Sequence, residues 1–406
     1  MNSFSDELSR RLDEIRAQGL HRELRRVDSP QSPRLKIAGR ELLNFSSNDY
    51  LGLANHPLLN EAAIKAIERF GSGSGASRLI CGSLAPHHEL ESALAAFKST
   101  EAALSFSSGY AAAVGTICAI VGKDDVIVLD KLVHACIVDA ARLSGAKLRV
   151  FAHNNLNELE DILRWAKNRP VATGAERRSQ TLIVTESIFS MDGDAAPLGQ
   201  MVTLKEKYGA WLMVDEAHAT GLFGKHRRGL AEEATVSDRI EIQMGTLGKA
   251  LGSSGGYICG SRELIEYLIN RARTFIFSTA PVPAAAAAAR AAIELVQSQE
   301  GRTRFQQLWS LVEKANSILG KTGWPPSSGR SAIIPLMIGS EEAAVKAAAA
   351  LRDAGIYIPA IRYPTVARGE ARLRLTLTAS HTEEDLAMLT TALPAPTRNT
   401  QAASYA

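Results

Sequence analysis

Short apolar runs alternate with helical patterns through the middle of the chain, and this alternation restricts the possible folds more than any other feature. From about residue 86 onwards, helical stretches are followed by runs rich in valine, isoleucine and leucine. Strands that alternate with helices in this way form a mainly parallel sheet with helices on both faces. We therefore predict an α/β domain with strands at 126–129, 148–151, 182–185, 211–214 and 240–244.

The segments that follow these predicted strands carry most of the polar candidates. In parallel α/β sheets, ligands bind beyond the carboxyl ends of the strands. The segments of interest are therefore 130–134, 186–194, 215–218 and 246–249.

The remaining sequence predicts a division into four parts. Residues 1–45 are expected to form a helix and an extended segment, and residues 46–285 the large α/β domain. Residues 286–393 show helical and strand-like patterns of a smaller α+β domain, and residues 394–406 are expected to form a disordered tail.

Composition excludes several classes of protein. The formal charge of +3 on 406 residues is too small to indicate nucleic-acid binding. The four cysteines are scattered without a C-x-x-C pair, which predicts no zinc or other metal site and a reducing compartment. Residues 1–20 lack the apolar core of a signal peptide, and no apolar run is long enough to span a bilayer. We therefore expect a cytoplasmic protein.

Lys249 stands among glycine, serine and other small residues in the segment 246–257. Small neighbours leave room for a flat molecule to approach the ammonium group. A desolvated lysine loses its proton more easily and can then form a Schiff base. A glycine-rich surface turn with an ordinary lysine fits this window equally well, so the window alone does not decide.

Asp215 directly follows an apolar predicted strand, and His218 lies three residues further on. A carboxylate at a buried strand end is costly unless a cation meets it, and a protonated heterocyclic nitrogen is one such cation. A structural aspartate in a capped turn is the alternative. His134 follows another strand and could stack on a planar ring, although a lone histidine is more often structural. Gly109 and Tyr110 stand at the start of a predicted helix of small residues, where free N–H groups could bind an anion, although an ordinary capped helix start fits equally well.

Two further motifs leave alternatives open. Residues 252–256 match G-x-S-x-G, so Ser254 could be the nucleophile of a serine hydrolase, but His381 is the only histidine after it. Arg374 lies on a predicted strand with leucines on one face. Its pattern favours a solvent-exposed arginine on an edge strand over a clamp for a substrate carboxylate.

Several segments in order resemble the α-oxoamine synthases, which are fold type I enzymes dependent on pyridoxal 5′-phosphate. The resemblance covers about residues 20–393. The segments that carry it are 44–53, 189–194, 360–365 and 371–377.

The resemblance implies a role for each matching residue. Lys249 would hold the cofactor and act as a base, and Asp215 would pair with its ring nitrogen. His218 would bond its ring oxygen, and His134 would stack on its ring. Other contacts to the cofactor, mostly near its phosphate, would come from Gly109, Tyr110, Ser190 and Thr246, with Ser278 and Thr279 reaching the cofactor of a partner subunit. Substrate contacts would come from Asn48, His134, Thr365, Arg374 and an N-terminal arginine, Arg22 or Arg25.

The resemblance also implies a reaction and an assembly. We expect a homodimeric acyltransferase that condenses L-alanine with a pimeloyl thioester, on coenzyme A or a carrier protein, and releases CO2 in biotin synthesis. Residues 78–82 match family members that use glycine and acetyl-CoA at least as well. Glycine with acetyl-CoA therefore remains an alternative, and a serine hydrolase and a non-catalytic scaffold are more distant ones.

Overall fold

The computed structural model describes residues 3–169, 179–325 and 329–396. The chain forms two compact units. Unit 1 comprises Met1–Ser47, Met191–Gly193 and Leu308–Ala406, and unit 2 comprises Asn48–Ser190 and Asp194–Gln307. Among the residues described, no helix has the combination of length and apolar character that is needed to cross a membrane.

The secondary structure is as follows. The strands are β1 (Arg34–Ile37), β2 (Arg40–Asn44), β3 (Ala102–Phe106), β4 (Val126–Asp130), β5 (Lys147–Phe151), β6 (Thr181–Glu186), β7 (Trp211–Asp215), β8 (Ile242–Thr246), β9 (Gly256–Gly260), β10 (Ile333–Gly339), β11 (Ile356–Tyr357), β12 (Ala360–Ile361) and β13 (Ala371–Thr376). The helices are α1 (Phe4–Ala17), α2 (Pro57–Phe70), α3 (Ala85–Lys98), α4 (Gly109–Ile120), α5 (Ala135–Ser144), α6 (Leu156–Lys167), α7 (Leu198–Tyr208), α8 (Leu230–Glu233), α9 (Arg262–Arg271), α10 (Arg273–Ile276), α11 (Pro283–Gln297), α12 (Gln299–Lys321), α13 (Glu341–Asp353) and α14 (Glu383–Ala392).

Unit 2 is built on a seven-stranded sheet in the order β3-β9-β8-β7-β6-β4-β5. Only β9 runs antiparallel to its neighbours in this sheet, so the prediction of a mainly parallel α/β sheet is confirmed. All five predicted strand runs form strands, β4 to β8. Strand β3 was not predicted, because its alanines and serine give a weak strand signal.

The centre of the sheet is apolar and inaccessible to solvent. Strands β4, β6 and β7 consist largely of fully buried valine, isoleucine and leucine, as expected for strands covered by helices on both faces. Parallel neighbours also place their carboxyl ends side by side. The last residues of β6 and β7, Glu186 and Asp215, are paired in register. The segments that follow β6, β7 and β8, which carry Ser190, Asp215 and Lys249, therefore begin at this edge.

Unit 1 contains two three-stranded sheets, in the orders β1-β2-β11 and β10-β13-β12. Its last helix, α14, begins at Thr382 with a capping box to Asp385, in which each side chain accepts a hydrogen bond from the other residue's backbone N–H. Strand β13 is the middle strand of its sheet, and all six of its residues are buried. The sequence pattern favoured a solvent-exposed edge strand here, and that interpretation is wrong.

The bounds of the two units differ from the predicted domain bounds at three places, since residues 46–47 and 191–193, expected in the large domain, lie in unit 1. Residues 286–307, expected in the smaller domain, lie in unit 2. The physical reason is that α11 packs against α2 and α3. The predicted tail, 394–406, lies outside the described residues from 397 onwards.

Candidate active site

Lys249 lies on a compact loop between β8 and β9. The backbone N–H of Leu247 donates to the carbonyl of Gly255 at 2.9 Å, and the N–H of Ser253 donates to the carbonyl of Leu247 at 2.8 Å. The side chains of Leu247 and Leu251 are buried beneath the loop, whereas Lys249 is half-buried. The loop therefore holds the lysine in a defined place at the carboxyl edge of the sheet.

A chain of hydrogen bonds connects Lys249 to the beginning of unit 2. Lys249 Nζ lies 2.8 Å from His218 Nε2, and the opposite ring nitrogen of His218, Nδ1, lies 2.5 Å from the hydroxyl of Tyr50. The Tyr50 hydroxyl also lies 3.3 Å from Asn48 Oδ1. Tyr50 and His218 are both buried. Lys249, His218 and Asn48, three predicted site residues, are thus brought together, and Tyr50 was not among the candidates.

Gly252 explains how the segment with Tyr50 reaches the lysine loop. Its φ is +59°, in the left-handed region, and a Cβ atom there would lie 2.5 Å from the carbonyl carbon of Leu53. Only glycine combines this conformation with such a close approach of two backbones. The lysine loop consequently packs directly on the 49–54 turn.

Asp215 lies at the same edge of the sheet, and its side chain is buried. Its Oδ1 accepts a hydrogen bond from the N–H of Ala217 at 2.9 Å. Burial raises the pKa of Asp215, and the positive charge of Lys249 opposes that rise only in part. A cation placed near this carboxylate would therefore be strongly favoured.

Glu186 is a second buried carboxyl beside Asp215. Its Oε2 accepts a hydrogen bond from the N–H of Ser190 at 3.2 Å, whereas Oε1 has no hydrogen-bond partner among the described residues. Burial and the nearby charge of Asp215 raise the pKa of Glu186, so its neutral form is favoured. Glu186 lay in a segment of interest but was not itself a candidate.

A buried ion pair supports the turn after β7. Lys98 and Glu216 form this pair with both side chains almost fully buried. Glu216 Oε1 also accepts a hydrogen bond from the N–H of Ala231 at 2.9 Å. Because Lys98 neutralises Glu216, the turn between Asp215 and His218 can stay out of water without a second unpaired charge.

His134 is the N-cap residue of α5, and its Nδ1 accepts a hydrogen bond from the N–H of Cys136 at 3.2 Å. The residue as a whole is exposed. The surrounding protein nevertheless disfavours the charged form and lowers the pKa of His134, while the charge of Asp215 acts in the opposite direction and that of Lys249 in the same direction. His134 therefore shares one electrostatic environment with Asp215 and Lys249.

Ser278 and Thr279 lie elsewhere on the surface of unit 2. Ser278 is half-buried and Thr279 is exposed. Thr279 forms an isolated β-bridge with Ser77, which fixes this segment against the 71–84 loop. The hydrogen bonds of these segments do not join either residue to Lys249 or Asp215 within the described part of the chain.

Three predicted substrate residues lie in unit 1. Arg374 is buried on β13, and its Nη1 donates to Thr376 Oγ1 at 3.0 Å. Arg22 Nη2 donates to the carbonyl of Tyr363 at 3.4 Å, which places this arginine beside the segment that carries Thr365. Arg25 is exposed. Arg22 thus has a defined contact near Thr365.

The structure argues against the serine hydrolase alternative, because His381 is engaged in other contacts. His381 Nε2 lies 2.9 Å from the carbonyl oxygen of Asn44, and its Nδ1 accepts a hydrogen bond from the N–H of Thr378 at 3.0 Å. Both ring nitrogens are thus committed to the backbone of unit 1. His381 is the only histidine after Ser254, so the hydrolase order of nucleophile, acid and base cannot be completed.

A charged network holds the loop that carries Ser190. His153 Nδ1 lies 3.0 Å from Asp130 Oδ1, and His153 Nε2 lies 2.7 Å from Asp194 Oδ2. Burial alone would lower the pKa of His153, but the two carboxylates outweigh it and raise the pKa to about 10. The N–H of Phe189 donates to the carbonyl of Asp194 at 3.0 Å, so the network fixes the residue next to Ser190.

We expect the substitution His153→Gln to lower the free energy of unfolding by about 2–3 kcal/mol near neutral pH, because two carboxylates lose their shared cation. The folded-state pKa is raised, so the stabilisation is complete below the ordinary value of 6.5 and is lost as the pH rises through about 10. Denaturant unfolding of the cofactor-free protein at pH 6.5 and pH 10 measures both effects.

The control is His226→Gln, which removes a histidine from an exposed pair with Glu232. Exposed pairs contribute about 0–1 kcal/mol, so this change should be small. A loss for His153→Gln that is equally large at pH 6.5 and pH 10 would contradict the charged network.

Comparisons with known proteins show the family to which the chain belongs. The family described as aminotransferase class I and II matches residues 40–393. The 8-amino-7-oxononanoate synthase of Geotalea daltonii is 48% identical over 386 residues, which cover 95% of this chain and 95% of that protein.

Two solved structures are similar over most of the chain. A serine palmitoyltransferase variant from S. paucimobilis, with a bound PLP–myriocin aldimine, has a TM-score of 0.88 and 29% identity, covering 97% of this chain and 98% of that chain. The 8-amino-7-oxononanoate synthase of Francisella tularensis has a TM-score of 0.71 and 27% identity, covering 86% of this chain and 97% of that chain. The chain therefore belongs to the aminotransferase class I and II family, and its similarity to 8-amino-7-oxononanoate synthases extends over nearly its whole length.

Proposed function

We propose that this protein is a pyridoxal 5′-phosphate-dependent acyltransferase that condenses L-alanine with a pimeloyl thioester. The products are 8-amino-7-oxononanoate, CO2 and the free thiol, and the pathway is biotin synthesis. The observation that carries the proposal is the carboxyl edge of the sheet, where Lys249 contacts His218 at 2.8 Å in the electrostatic field of the buried Asp215. The sequence identity to 8-amino-7-oxononanoate synthases supports the choice of substrates.

The residues at this edge fit the cofactor. Thr246 Oγ1 is inaccessible to water and has no hydrogen-bond partner among the described residues. Its hydroxyl group can therefore donate a hydrogen bond to a phosphate oxygen. Gly109 lies beside Thr246, since a Cβ atom on Gly109 would be 2.6 Å from Thr246 Cγ2. The first N–H groups of α4 point out of the helix and favour an anion. A phosphate group suits this place.

Each residue then has a role in holding the cofactor. Lys249 would bind it covalently, Asp215 would face the ring nitrogen, and His218 would face the ring oxygen. His134 would lie against the ring, and the phosphate would be held by residues 109–110 with Thr246 and Ser190. When bound, pyridoxal phosphate supplies an electron sink for negative charge that develops at the amino acid Cα.

The protein's own groups handle the protons and the charge. Lys249 would accept the Cα proton of alanine on Nζ and would later return a proton to the same carbon after CO2 has left. Asp215 would keep its negative charge opposite a protonated ring nitrogen, because each of these charges would stabilise the other. His134, whose pKa is lowered by the surrounding protein, stays neutral near pH 7 and can accept or donate a hydrogen bond to the incoming acyl group.

The substrate contacts and the assembly are part of the same proposal. Arg374 is a buried guanidinium that can hold the alanine carboxylate with two parallel hydrogen bonds. Arg22, Thr365 and Asn48 would also contact the substrates. Ser278 and Thr279 would reach the cofactor phosphate of a second copy in a homodimer.

The test is thiol release by the purified, cofactor-loaded enzyme in two mixtures. One contains L-alanine with pimeloyl-CoA, and the other contains glycine with acetyl-CoA. We expect fast release in the first mixture only.

The other outcomes each have a clear consequence. Fast release only with glycine and acetyl-CoA would overturn the substrates and favour the alternative raised by residues 78–82. If the enzyme binds the cofactor but releases no thiol in either mixture, both acyl-CoA donors are excluded. Pimeloyl-carrier protein would then be the next donor to supply. Failure to bind the cofactor at all would overturn the proposal.

A further inference from the structure

We propose that Tyr50 is a positioning residue of this site, and that its hydroxyl group holds His218 in the tautomer that carries a proton on Nε2. The inference rests on the proposed function, in that it requires the cofactor to bind at Lys249. It concerns a residue that acts through His218, the histidine that lies next to Lys249.

The contacts of His218 are the first step. Its two ring nitrogens face opposite partners, with Nδ1 2.5 Å from the Tyr50 hydroxyl and Nε2 2.8 Å from Lys249 Nζ. The Tyr50 and His218 rings meet edge to face, with centroids 6.0 Å apart and an interplanar angle of 62°. Tyr50 is 1% exposed, so water does not compete for its hydroxyl.

The chemistry of a neutral imidazole is the second step. One ring nitrogen carries a proton and donates, and the other accepts. When the Tyr50 hydroxyl donates to Nδ1, the proton of His218 must be on Nε2, and that nitrogen becomes a donor directed at the position of Lys249. When Lys249 is an ammonium and donates to Nε2, Tyr50 can instead accept from Nδ1 and turn its hydrogen to Asn48 Oδ1, 3.3 Å away. The hydroxyl group can therefore donate to Nδ1 or accept from it, whereas the phenyl ring of phenylalanine can do neither.

The consequence for a bound cofactor follows from electrostatics. A donor on Nε2 stabilises negative charge on the ring oxygen, and that oxygen then holds the proton of the neighbouring lysine–cofactor bond less tightly. Without Tyr50, the buried Nδ1 loses the hydroxyl donor that stabilises the tautomer with the proton on Nε2. The Nε2 atom then carries a proton, and donates a hydrogen bond to the ring oxygen, in a smaller fraction of molecules. We therefore expect the nitrogen that joins Lys249 to the cofactor to lose its proton only at a higher pH.

The experiment compares Tyr50→Phe with the wild-type enzyme by two readouts. In the loaded enzyme, the pH midpoint of the cofactor absorbance change should move upward by about one unit, since a hydrogen bond of this kind is worth about a tenfold change in equilibrium. kcat for alanine and the acyl thioester should fall about tenfold while KM for alanine stays within about twofold. The melting temperature of the cofactor-free protein checks that the fold is unchanged.

Tyr257→Phe is the matched control. Tyr257 is also fully buried in unit 2, and its hydroxyl makes a hydrogen bond of 2.8 Å to Thr220. This variant removes one buried hydroxyl without touching the contacts of His218 or Lys249, so it should leave the midpoint unchanged. A midpoint that shifts equally in both variants would overturn the role of Tyr50.

A double variant makes the test independent of small losses in stability. If Tyr50 acts through His218, then Tyr50→Phe should cause no further shift of the midpoint when His218 is already glutamine. Additive shifts would overturn the inference. An unchanged midpoint in Tyr50→Phe would also overturn it, whereas a wild-type enzyme without any cofactor absorbance would count against the proposed function itself.

Discussion

Replacing Lys249 with alanine is expected to reduce turnover by about 10⁴-fold or more and to abolish covalent attachment of the cofactor. The general-base role alone contributes about 10²–10⁴-fold, and loss of the covalent link adds to it. The buried Lys98 is not expected to take over, because it is committed to a fully buried ion pair with Glu216. Turnover is measured as thiol release, and attachment as the mass of the protein after borohydride reduction.

Lys249→Arg separates the reactive amine from its charge. Arginine keeps a positive charge near His218 and Asp215 but cannot lose its proton or act as a nucleophile. We expect this variant to be as inactive as Lys249→Ala. Lys225→Ala, which removes an exposed lysine, should retain activity within about twofold. Substantial activity in either Lys249 variant would rule out the proposed chemistry.

The position of Lys249 and Asp215 could be predicted from the sequence because of one topological rule. Parallel strands end at the same edge, so residues that follow β7 and β8 must lie close together, whatever the details of packing. The apolar runs that form β4 to β8 are easy to recognise, since strands buried on both faces consist almost entirely of branched apolar residues. Fold class and the centre of the site follow from these two facts.

Tyr50 could not be predicted in the same way. It lies 168 residues before His218 and outside the alternating strands and helices, so no spacing rule joins the two. Their contact depends on the close packing of Gly252 against Leu53, a property of the folded backbone. A weak signal was present, since a buried tyrosine hydroxyl nearly always has a hydrogen-bond partner. The sequence does not show that Tyr50 is buried.

The buried charges at the sheet edge illustrate the same limit. Lys98 lies at the end of a helix, where the sequence predicts a solvent-exposed side chain. In the structure it is 1% exposed and paired with Glu216, 118 residues away. In the sequence, nothing distinguishes Glu186 from the other acidic residues of its segment, but the register of β6 and β7 places it beside Asp215. Burial and pairing decide the charge state of both carboxyls, and these depend on tertiary contacts.

Asp215→Asn is expected to lower kcat/KM by about 100- to 1,000-fold, the usual cost of removing a preorganised group opposite developing charge. Asparagine has nearly the same shape and can keep the bond to the N–H of Ala217. Asparagine carries no negative charge, so it would not stabilise a protonated ring nitrogen that faces it. The measurement is steady-state thiol release together with the absorbance of the bound cofactor.

Glu186→Gln is the matched control, because it makes the same change on the neighbouring strand. Burial and Asp215 already raise the pKa of Glu186 and favour its neutral form, which glutamine resembles. We expect its activity to fall by less than about tenfold, since the charge opposite the proposed ring nitrogen is retained on Asp215. Equal losses in the two variants would mean that negative charge at this edge, and not Asp215 in particular, is what the reaction needs.

Stability separates this role from a structural one. The folded-state pKa of Asp215 is raised by burial, so the ionised carboxylate costs stability increasingly as the pH rises above its ordinary value of 3.8. Asparagine removes that cost. The cofactor-free Asp215→Asn protein should therefore melt at the same temperature as the wild type or higher, with a difference that grows as the pH rises from 3.8 to the raised folded-state pKa, while its activity is lost. A variant that loses both stability and activity would identify Asp215 as a structural aspartate in a capped turn, the alternative that its sequence position left open.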